Sequence, residues 1–115
     1  MEVLITLTTA TICFLGSCYP ALIGQSTPIG EFKLIKRYTQ QTGYGGDILQ
    51  FDEDATTVYA IHRPWLLKPD QQRLKRLNTN DATKRTITSG CVNVSEEVYE
   101  KLVDCCQGAT LKITK

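Results

Sequence analysis

The sequence contains one cysteine that directly follows a glycine and a single histidine, two residue types that can form a nucleophile and its base. Cys91 lies in the segment RTITSGCVN, residues 85–93, and His62 is the only histidine. A thiol has a pKa of about 8.5 and is mostly protonated at neutral pH, whereas a neighbouring imidazole can accept its proton. The two residues therefore predict a cysteine nucleophile that is activated by His62.

The residues around Cys91 favour this reactivity, but they leave a structural interpretation open. Gly90 permits a sharp turn, and the successive N–H groups of Ser89, Gly90 and Cys91 could converge on a developing oxyanion. A helix predicted to begin at Ser95 would bring its positive end nearby. The competing interpretation is that Cys91 is a buried structural cysteine. His62 would then be a partly buried histidine at the end of a strand, with its ring nitrogens hydrogen-bonded.

The other cysteines show no metal-site pattern. The chain has five cysteines, an odd number that leaves at least one thiol free or paired with another chain. Cys13 and Cys18 flank a predicted turn, across which a disulfide could form, whereas Cys105 and Cys106 are interpreted as small buried apolar residues. Since no Cys-x₂-Cys spacing and no phosphate or dinucleotide motif occurs, we expect no metal, no cofactor and no nucleic-acid partner.

The elements that must position Cys91 and His62 are predicted to be mainly β strands. The 115 residues, 42% hydrophobic and 22% charged, are enough for one domain that covers residues 1–115. β-Branched residues and alternating polarity predict strands over residues 3–14, 19–23, 31–38, 47–51, 57–62 and 110–114. A capped amphipathic pattern predicts a helix over residues 95–106, followed by Gly108 at its C-terminal end.

A basic segment interrupts the strand rhythm between His62 and Cys91. Residues 63–85 contain seven Lys and Arg against two Asp, a net charge of +5 that favours an anionic partner. Pro69 and Asp70 predict the start of a short helix within this segment. Because it lies between the two candidate catalytic residues, the basic insertion, residues 66–84, is predicted to form a lid or a substrate contact.

The N-terminal 24 residues are interpreted as a β-hairpin and not as an export signal. Glu2 is present and no Lys or Arg precedes the apolar stretch, whereas a secretory signal needs a positive first region. The Thr, Val and Ile residues favour strands, with the turn of the hairpin at Gly16 and Ser17. No stretch approaches the roughly 20 apolar residues of a membrane-spanning helix, so no membrane span is predicted.

Three motifs in the same order along the chain resemble those of L,D-transpeptidase catalytic domains, which cross-link peptidoglycan through an active-site cysteine. Thr27-Pro-Ile-Gly-Glu-Phe32 resembles the family's turn motif, and Ile61-His62 its strand that ends in Ile-His. Arg85 with Thr88-Ser-Gly-Cys-Val-Asn93 resembles its cysteine motif. The resemblance implies an L,D-transpeptidase-like β-sandwich or barrel, mainly β, with one C-terminal helix and a short helical insertion.

The resemblance also implies roles for individual residues. Cys91 is expected to be the nucleophile and His62 its general base, while Gly90 and the Cys91 N–H contribute to the oxyanion site. Ser89 stands where the family usually has a histidine, which is expected to change the electrostatics of the site without removing the base. The residues expected at the substrate are Arg85, Ser89, Thr88, Asn93, Arg63 and Trp65.

The implied activity is acyl transfer on the tetrapeptide stems of peptidoglycan. Cys91 would form a thioester and release the terminal D-alanine, and the acceptor would decide between cross-linking of two stems, L,D-carboxypeptidase activity and D-amino-acid exchange. Two other interpretations are a non-catalytic wall-binding module of the same fold and a cysteine peptidase of proteins. The expected partners are stem peptides, bound by a monomer.

The substrate would place the protein in the periplasm or cell wall. Since no clear signal is recognised, export is expected to use a dedicated secretion system or a segment absent from this sequence. A secreted antibacterial effector, with an immunity or secretion partner, is the alternative to a role in wall maintenance.

Overall fold

The computed structural model describes residues 1–39, 44–64, 67 and 69–115. The strands in these ranges are β1 (Glu2–Thr6), β2 (Thr11–Phe14), β3 (Ser17–Pro20), β4 (Ile23–Gly24), β5 (Gly30–Lys33), β6 (Ile35–Tyr38), β7 (Asp47–Glu53), β8 (Val58–His62), β9 (Thr86–Thr88), β10 (Val92–Asn93) and β11 (Thr110–Thr114). The α-helices of the described part are α1 (Arg73–Leu77) and α2 (Glu96–Cys106), and 3-10 turns cover Pro69–Gln71 and Ala82–Arg85. The predicted mainly β class is confirmed.

The strands of the described residues form two larger sheets and a two-stranded pair. The five-stranded sheet has the order β3-β2-β1-β11-β5, the four-stranded sheet the order β10-β8-β7-β6, and β4 pairs with β9. β1 and β11 are parallel, with Glu2 opposite Thr110. Their alternate residues are buried, because the side-chain period of two turns one face of each strand to the core: Val3, Ile5, Leu111 and Ile113.

The predicted strand 3–14 is in fact two strands. The chain turns at residues 7–10, where Ala10 has a φ of +49°, and β2 then runs back along β1 with Cys13 opposite Leu4. An unbroken strand of that length would measure roughly 40 Å, more than the 34 Å of the molecule's longest axis. The next hairpin, β2–β3, turns at Leu15 and Gly16, one residue before the predicted position.

The predicted strand 31–38 is divided between the two sheets. β5 pairs with β11 in the five-stranded sheet, whereas β6 pairs with β7 in the four-stranded sheet. Leu34 lies between them, is fully buried, and donates its backbone N–H to the Ala109 carbonyl oxygen at 3.0 Å. This segment therefore ties the two sheets together.

Helix α2 begins and ends where the sequence predicts. The Ser95 hydroxyl accepts a hydrogen bond from the Val98 N–H at 3.2 Å, and Gly108 has a φ of +77°, the left-handed conformation that glycine adopts most easily. Strand β11 follows the helix, and α1 and two 3-10 turns lie earlier in the chain. Helical structure is therefore not limited to one C-terminal helix.

Two disulfides occur among the described cysteines. Cys13 pairs with Cys18 across the β2–β3 turn, a disulfide that the sequence left open. Cys105 and Cys106 are joined to each other by the second disulfide, and they pack at the core as the interpretation of small buried apolar residues expects, Cys106 fully buried and Cys105 partly buried. Cys91 is the free cysteine. The odd cysteine is thus the one with a candidate catalytic role.

One hydrophobic cluster joins both larger sheets and α2. Its members from the helix include Val98, Tyr99 and Leu102, which pack in the same cluster as residues of β1, β7, β8 and β11. None of the helices in the described ranges is long and apolar enough to cross a membrane. The core thus fixes the ends of β8 and β10, which carry His62 and Asn93.

Candidate active site

A cavity of about 330 Å³ brings together the two candidate catalytic residues. It lies at the end of β8, beside Gln71 and Arg73 of the basic insertion, and next to the segment after β9 that carries Cys91. The residues that line it are Tyr44, His62, Gln71, Arg73, Ile87, Thr88, Ser89 and Cys91. Four of the expected site residues are therefore in one cavity: Cys91, His62, Thr88 and Ser89.

The turn before Cys91 depends on two glycines that allow close approach. Gly90 has a φ of +140°, and an added Cβ would lie 2.7 Å from Cε1 of Tyr59. Gly24, on the paired strand β4, would place a Cβ 2.2 Å from the Thr88 carbonyl oxygen. Real atoms cannot approach so closely, so each position requires glycine for this backbone path.

Side-chain hydroxyls hold the same turn from both sides. Thr27, from the TPIGEF motif, accepts from the Gly24 N–H at 3.0 Å and donates to the Gly90 carbonyl oxygen at 2.9 Å. The Thr88 hydroxyl donates to the Cys91 carbonyl oxygen at 2.6 Å and accepts from the Gly90 N–H at 3.2 Å. The Gly90 N–H is therefore engaged by Thr88 in this conformation.

The Cys91 side chain is partly buried and is a neutral thiol at neutral pH. Its Sγ donates to the Val58 carbonyl oxygen at 3.5 Å. Burial raises the pKa of the thiol, and this effect is opposed by the N–H of Ala60 and by the positive charge of Arg73. The resting site thus does not hold Cys91 as a preformed thiolate.

His62 is buried, with 2% of its surface exposed, and it is also neutral. Loss of hydration lowers the pKa of its imidazole from the usual 6.5 to about 4. Nδ1 lies 2.5 Å from the Arg63 carbonyl oxygen, and because a carbonyl only accepts, Nδ1 carries the proton. Nε2 therefore holds the lone pair, as a general base requires, and Tyr44 packs edge-on against the ring at 4.5 Å between centroids.

Cys91 and His62 face the same cavity without being bonded to each other. In the residues that the structure describes, no hydrogen bond joins Sγ to the imidazole. Sγ donates instead to the Val58 carbonyl oxygen, and Nε2 lies 3.4 Å from Nδ2 of Asn93. Catalytic hydrogen bonds are often loose before substrate binds. The two side chains therefore line one cavity but are not hydrogen-bonded to each other in this structure.

Arg73 and Asn93 complete the wall behind His62. Asn93 is fully buried on β10, and its Oδ1 accepts from Nη1 of Arg73 at 2.7 Å while its Nδ2 faces His62. Nε of Arg73 donates to Oε1 of Gln71 at 2.9 Å. The expected residue Asn93 thus sits behind the cavity as a link between Arg73 and His62.

Arg76 connects two parts of the basic insertion by hydrogen bonds to backbone carbonyls. Nε of this residue donates to the Gln71 carbonyl oxygen at 2.8 Å, and Nη1 donates to the Lys84 carbonyl oxygen at 2.8 Å. These bonds join Gln71 to Lys84 at the end of the insertion, and both Gln71 and Arg73 line the cavity. The insertion thus contributes Gln71 and Arg73 to the cavity wall, and its role as a lid or a substrate contact stays a prediction.

Arg85 does not lie in the cavity, contrary to the expectation that it contacts substrate. It is buried, with 6% of its surface exposed, and its guanidinium donates to three backbone carbonyl oxygens: Ala10 at 3.3 Å, Thr79 at 2.5 Å and Thr9 at 2.7 Å. These bonds tie the β1–β2 turn to the insertion. The resemblance identified an arginine of the motif, but the fold uses it to join backbone segments.

The Arg63 side chain also has its partners within the domain, whereas Trp65 lies outside the described residues. Nη1 of Arg63 forms an ion pair with Oδ1 of Asp47 at 2.7 Å, and its guanidinium lies over the Tyr99 ring at 4.3 Å. Arg63 therefore joins the end of β8 to β7 and α2. Arg63 is connected to the cavity through its backbone carbonyl, which accepts the hydrogen bond from Nδ1 of His62.

Sequence reasoning did not identify Tyr44, Gln71 and Arg73 as site residues. Arg73 was one of seven cations in the segment, and only the bond to Asn93 distinguishes it. Tyr44 lies in the glycine-rich sequence TGYGG, residues 42–46, which carries no chemical signature. No cluster of three or more His, Cys, Asp or Glu suited to a metal occurs in the described ranges.

The fold is similar to that of L,D-transpeptidases of known structure. L,D-transpeptidase 3 from Mycobacterium tuberculosis aligns with a TM-score of 0.68 at 13% identity, over 99% of this chain and 60% of that chain. The enzyme from Xylanimonas cellulosilytica gives 0.61 at 18% identity, over 98% and 59%. The enzyme from Stackebrandtia nassauensis gives 0.59 at 15% identity, over 99% and 55%.

The likeness is one of structure and not of sequence. No family model matches the sequence, and no curated protein matches it. The chain spans between 55% and 60% of the length of the three aligned enzymes. With nearly all of this chain aligned at identities of 13 to 18%, the comparison establishes one conclusion: the chain adopts the fold of L,D-transpeptidases.

Proposed function

We propose that the protein is an L,D-transpeptidase-type acyltransferase in which Cys91 forms a thioester with a peptidoglycan stem peptide. The observation that carries the proposal is that the free cysteine and the only histidine line one cavity in a chain with the L,D-transpeptidase fold. The substrate class is a tetrapeptide whose third residue is a diamino acid and whose fourth is D-alanine.

In the first half-reaction Sγ of Cys91 attacks the carbonyl carbon of the third residue. As the S–C bond forms, the thiol proton moves to Nε2 of His62, and the Arg63 carbonyl stabilises the resulting imidazolium through Nδ1–H. The tetrahedral intermediate collapses, the C–N bond breaks, and the imidazolium donates its proton to the leaving amine of D-alanine. Cys91 and His62 thus act at the same substrate carbon throughout this half-reaction, Cys91 as the nucleophile and His62 first as the base and then as the acid.

The neutral resting states of both groups fit transfer of the proton during the attack. Burial raises the pKa of Cys91 and lowers that of His62, so ionisation before substrate binding is unfavourable. For reaction, Sγ must leave the Val58 carbonyl and Asn93 must leave Nε2. The N–H of Cys91 is the donor that we assign to the oxyanion, because the Gly90 N–H is engaged by Thr88.

The second half-reaction transfers the acyl group from sulfur to an acceptor. An amine of another stem gives a cross-link, water gives L,D-carboxypeptidase activity, and a free D-amino acid gives exchange. In each case His62 removes a proton from the acceptor and returns it to the departing sulfur of Cys91. We propose a single catalytic domain that acts as a monomer in the periplasm or cell wall.

Replacement of Cys91 by alanine tests the nucleophile. Purified protein is incubated with stem tetrapeptide, released D-alanine is measured, and mass spectrometry identifies the acyl-enzyme. Cys91→Ala should abolish release and the acyl-enzyme while circular dichroism remains that of the unsubstituted protein. Undiminished release by Cys91→Ala would refute the assignment.

A non-catalytic wall-binding module of the same fold is the second candidate. It is favoured by the neutral, unbonded Cys91 and His62 and by Ser89 in place of the usual histidine. It predicts no acyl-enzyme with any stem peptide and equal binding of insoluble peptidoglycan by the unsubstituted protein and Cys91→Ala. Sedimentation with purified peptidoglycan distinguishes the two candidates.

A further inference from the structure

Arg73 places a positive charge in the cavity without a carboxylate partner in the described part of the chain. The ion pairs found there involve Lys36, Arg63 and Lys101. The side-chain partners of Arg73 are the neutral amides of Gln71 and Asn93. A partly buried cation with neutral partners only is a ready site for an anion.

The other titratable groups of the cavity wall do not neutralise this charge. Burial lowers the pKa of His62 to about 4, and it raises the pKa values of Cys91 and Tyr44, so all three are uncharged at neutral pH. Among the described residues that line the cavity, Arg73 is therefore the charged group. An anionic ligand would therefore be attracted by Arg73 without being repelled by a negative charge in the cavity wall.

The geometry of the guanidinium leaves donors for a ligand. An arginine side chain has five N–H groups, and in the described structure two of them donate to Oε1 of Gln71 and Oδ1 of Asn93. The remaining N–H groups suit the two oxygens of a carboxylate. Because Gln71 and Asn93 hold the side chain in place, little ordering is required when a ligand binds.

We propose that Arg73 is the specificity-determining residue that binds the C-terminal carboxylate of the residue released from the substrate. The inference rests on the proposed function, since it assumes that Cys91 attacks the preceding carbonyl. In such a peptide only N and Cα separate the attacked carbon from the carboxylate carbon, a distance of roughly 4 Å at most. Cys91 and Arg73 line the same cavity, so one substrate can contact both.

The other arginines near the site are occupied in ways that exclude this role. Arg63 is paired with Asp47, Arg76 donates to the carbonyls of the insertion, and Arg85 is buried against backbone carbonyls. The preference for a free carboxylate therefore depends on Arg73. An internal peptide bond, which has no terminal carboxylate at that position, should be a poor ligand.

The test measures binding and not turnover. In the Cys91→Ala background, calorimetry compares a tetrapeptide ending in a diamino acid and D-alanine with the same peptide ending in a carboxamide. The free carboxylate should bind about ten- to a hundredfold more tightly, the range expected for hydrogen bonds to a charged group. Arg73→Gln should reduce this ratio to about threefold or less, and Arg73→Lys should give an intermediate ratio.

Lys75→Gln is the matched control, because it removes the same charge from the same helix at an exposed position outside the cavity wall. It should retain the full ratio. Equal affinity of Cys91→Ala for the two peptides, binding of neither, or an unchanged ratio in both Arg73 variants would overturn the inference. Absence of turnover with an intact ratio would refute only the proposed catalysis.

Discussion

The hydroxyl of Thr27 donates a hydrogen bond to the Gly90 carbonyl oxygen at 2.9 Å, across 63 residues of sequence. The hydroxyl oxygen of Thr27 also accepts a hydrogen bond from the Gly24 N–H at 3.0 Å, and Thr27 is 5% exposed. The bond connects the TPIGEF motif directly to the residue before Cys91. It explains why a turn far from the cavity in sequence belongs to the same set of motifs.

Thr27→Val should destabilise the protein and displace the Cys91 turn. The substitution keeps the shape of the side chain but leaves the Gly24 N–H and the Gly90 carbonyl without their hydroxyl partner, which costs about 1–3 kcal/mol for a buried polar group. Urea denaturation measures the loss, and D-alanine release should fall in parallel. Thr110→Val, at an exposed position on β11, is the control and should change stability by less than about 0.5 kcal/mol. Equal stability of the two variants would contradict the proposed link.

His62 should make the protein less stable in mild acid. Its pKa is about 4 in the folded protein against 6.5 ordinarily, so the unfolded chain takes up the proton first as the pH falls. The stability contributed by neutral His62 is fully present above about pH 6.5 and is lost between about pH 6.5 and 4, by about 3 kcal/mol. Denaturation curves across this range measure the slope.

His62→Gln separates this effect from the titration of carboxylates, which both proteins share. The difference in unfolding free energy between the two should depend on pH only in the window from about 6.5 to 4. A difference that is constant across this window would show that His62 is not buried in its neutral form.

Cys91 should be the only thiol alkylated in the oxidised, folded protein. The other four of the five cysteines are joined in two disulfides, so iodoacetamide should add once to the native protein and five times after reduction and unfolding. Because burial raises the pKa of Cys91, labelling should be slow at neutral pH and accelerate in alkali. Arg73→Gln should shift the labelling curve to higher pH, since the positive charge favours the thiolate. A curve with its midpoint below pH 7 would contradict the neutral resting thiol.

Arg85→Lys should destabilise the fold without changing the choice of ligand. A lysine keeps the charge but cannot direct three N–H groups to the carbonyls of Ala10, Thr79 and Thr9, so a loss of about 2–4 kcal/mol is expected. The ratio of affinities for the carboxylate and carboxamide peptides should remain that of the parent. If Arg85→Lys were as stable as the parent but bound the carboxylate and carboxamide peptides equally, Arg85 would have to contact the substrate.

Local patterns predicted most of the elements, because they depend on neighbouring residues. Helix α2 has its cap, its buried face and its terminal glycine within a short stretch, and β11 alternates visibly. The turn at residues 7–10 was missed because Thr and Ile favour strands throughout this region, and only the size of the domain requires a break. The division of residues 31–38 between two sheets likewise depends on distant partners.

The candidate site shows the same limit. Cys91 and His62 could be identified because each residue type is chemically distinctive. The resemblance assigned Arg85 to the substrate and gave Arg73 no role, because the sequence does not show the partners that separate them: Asn93 for Arg73 and backbone carbonyls for Arg85.

The place of β11 in the five-stranded sheet has a consequence for how the domain is completed. The last strand of the chain is inserted between β1 and β5, and β1 is the first strand. A chain emerging from the ribosome therefore lacks the strand between β1 and β5 until residues 110–114 have been released. Removing residues 110–115 should leave two unprotected strand edges, and such a truncated protein would be prone to aggregate or to accept a strand from a neighbouring copy.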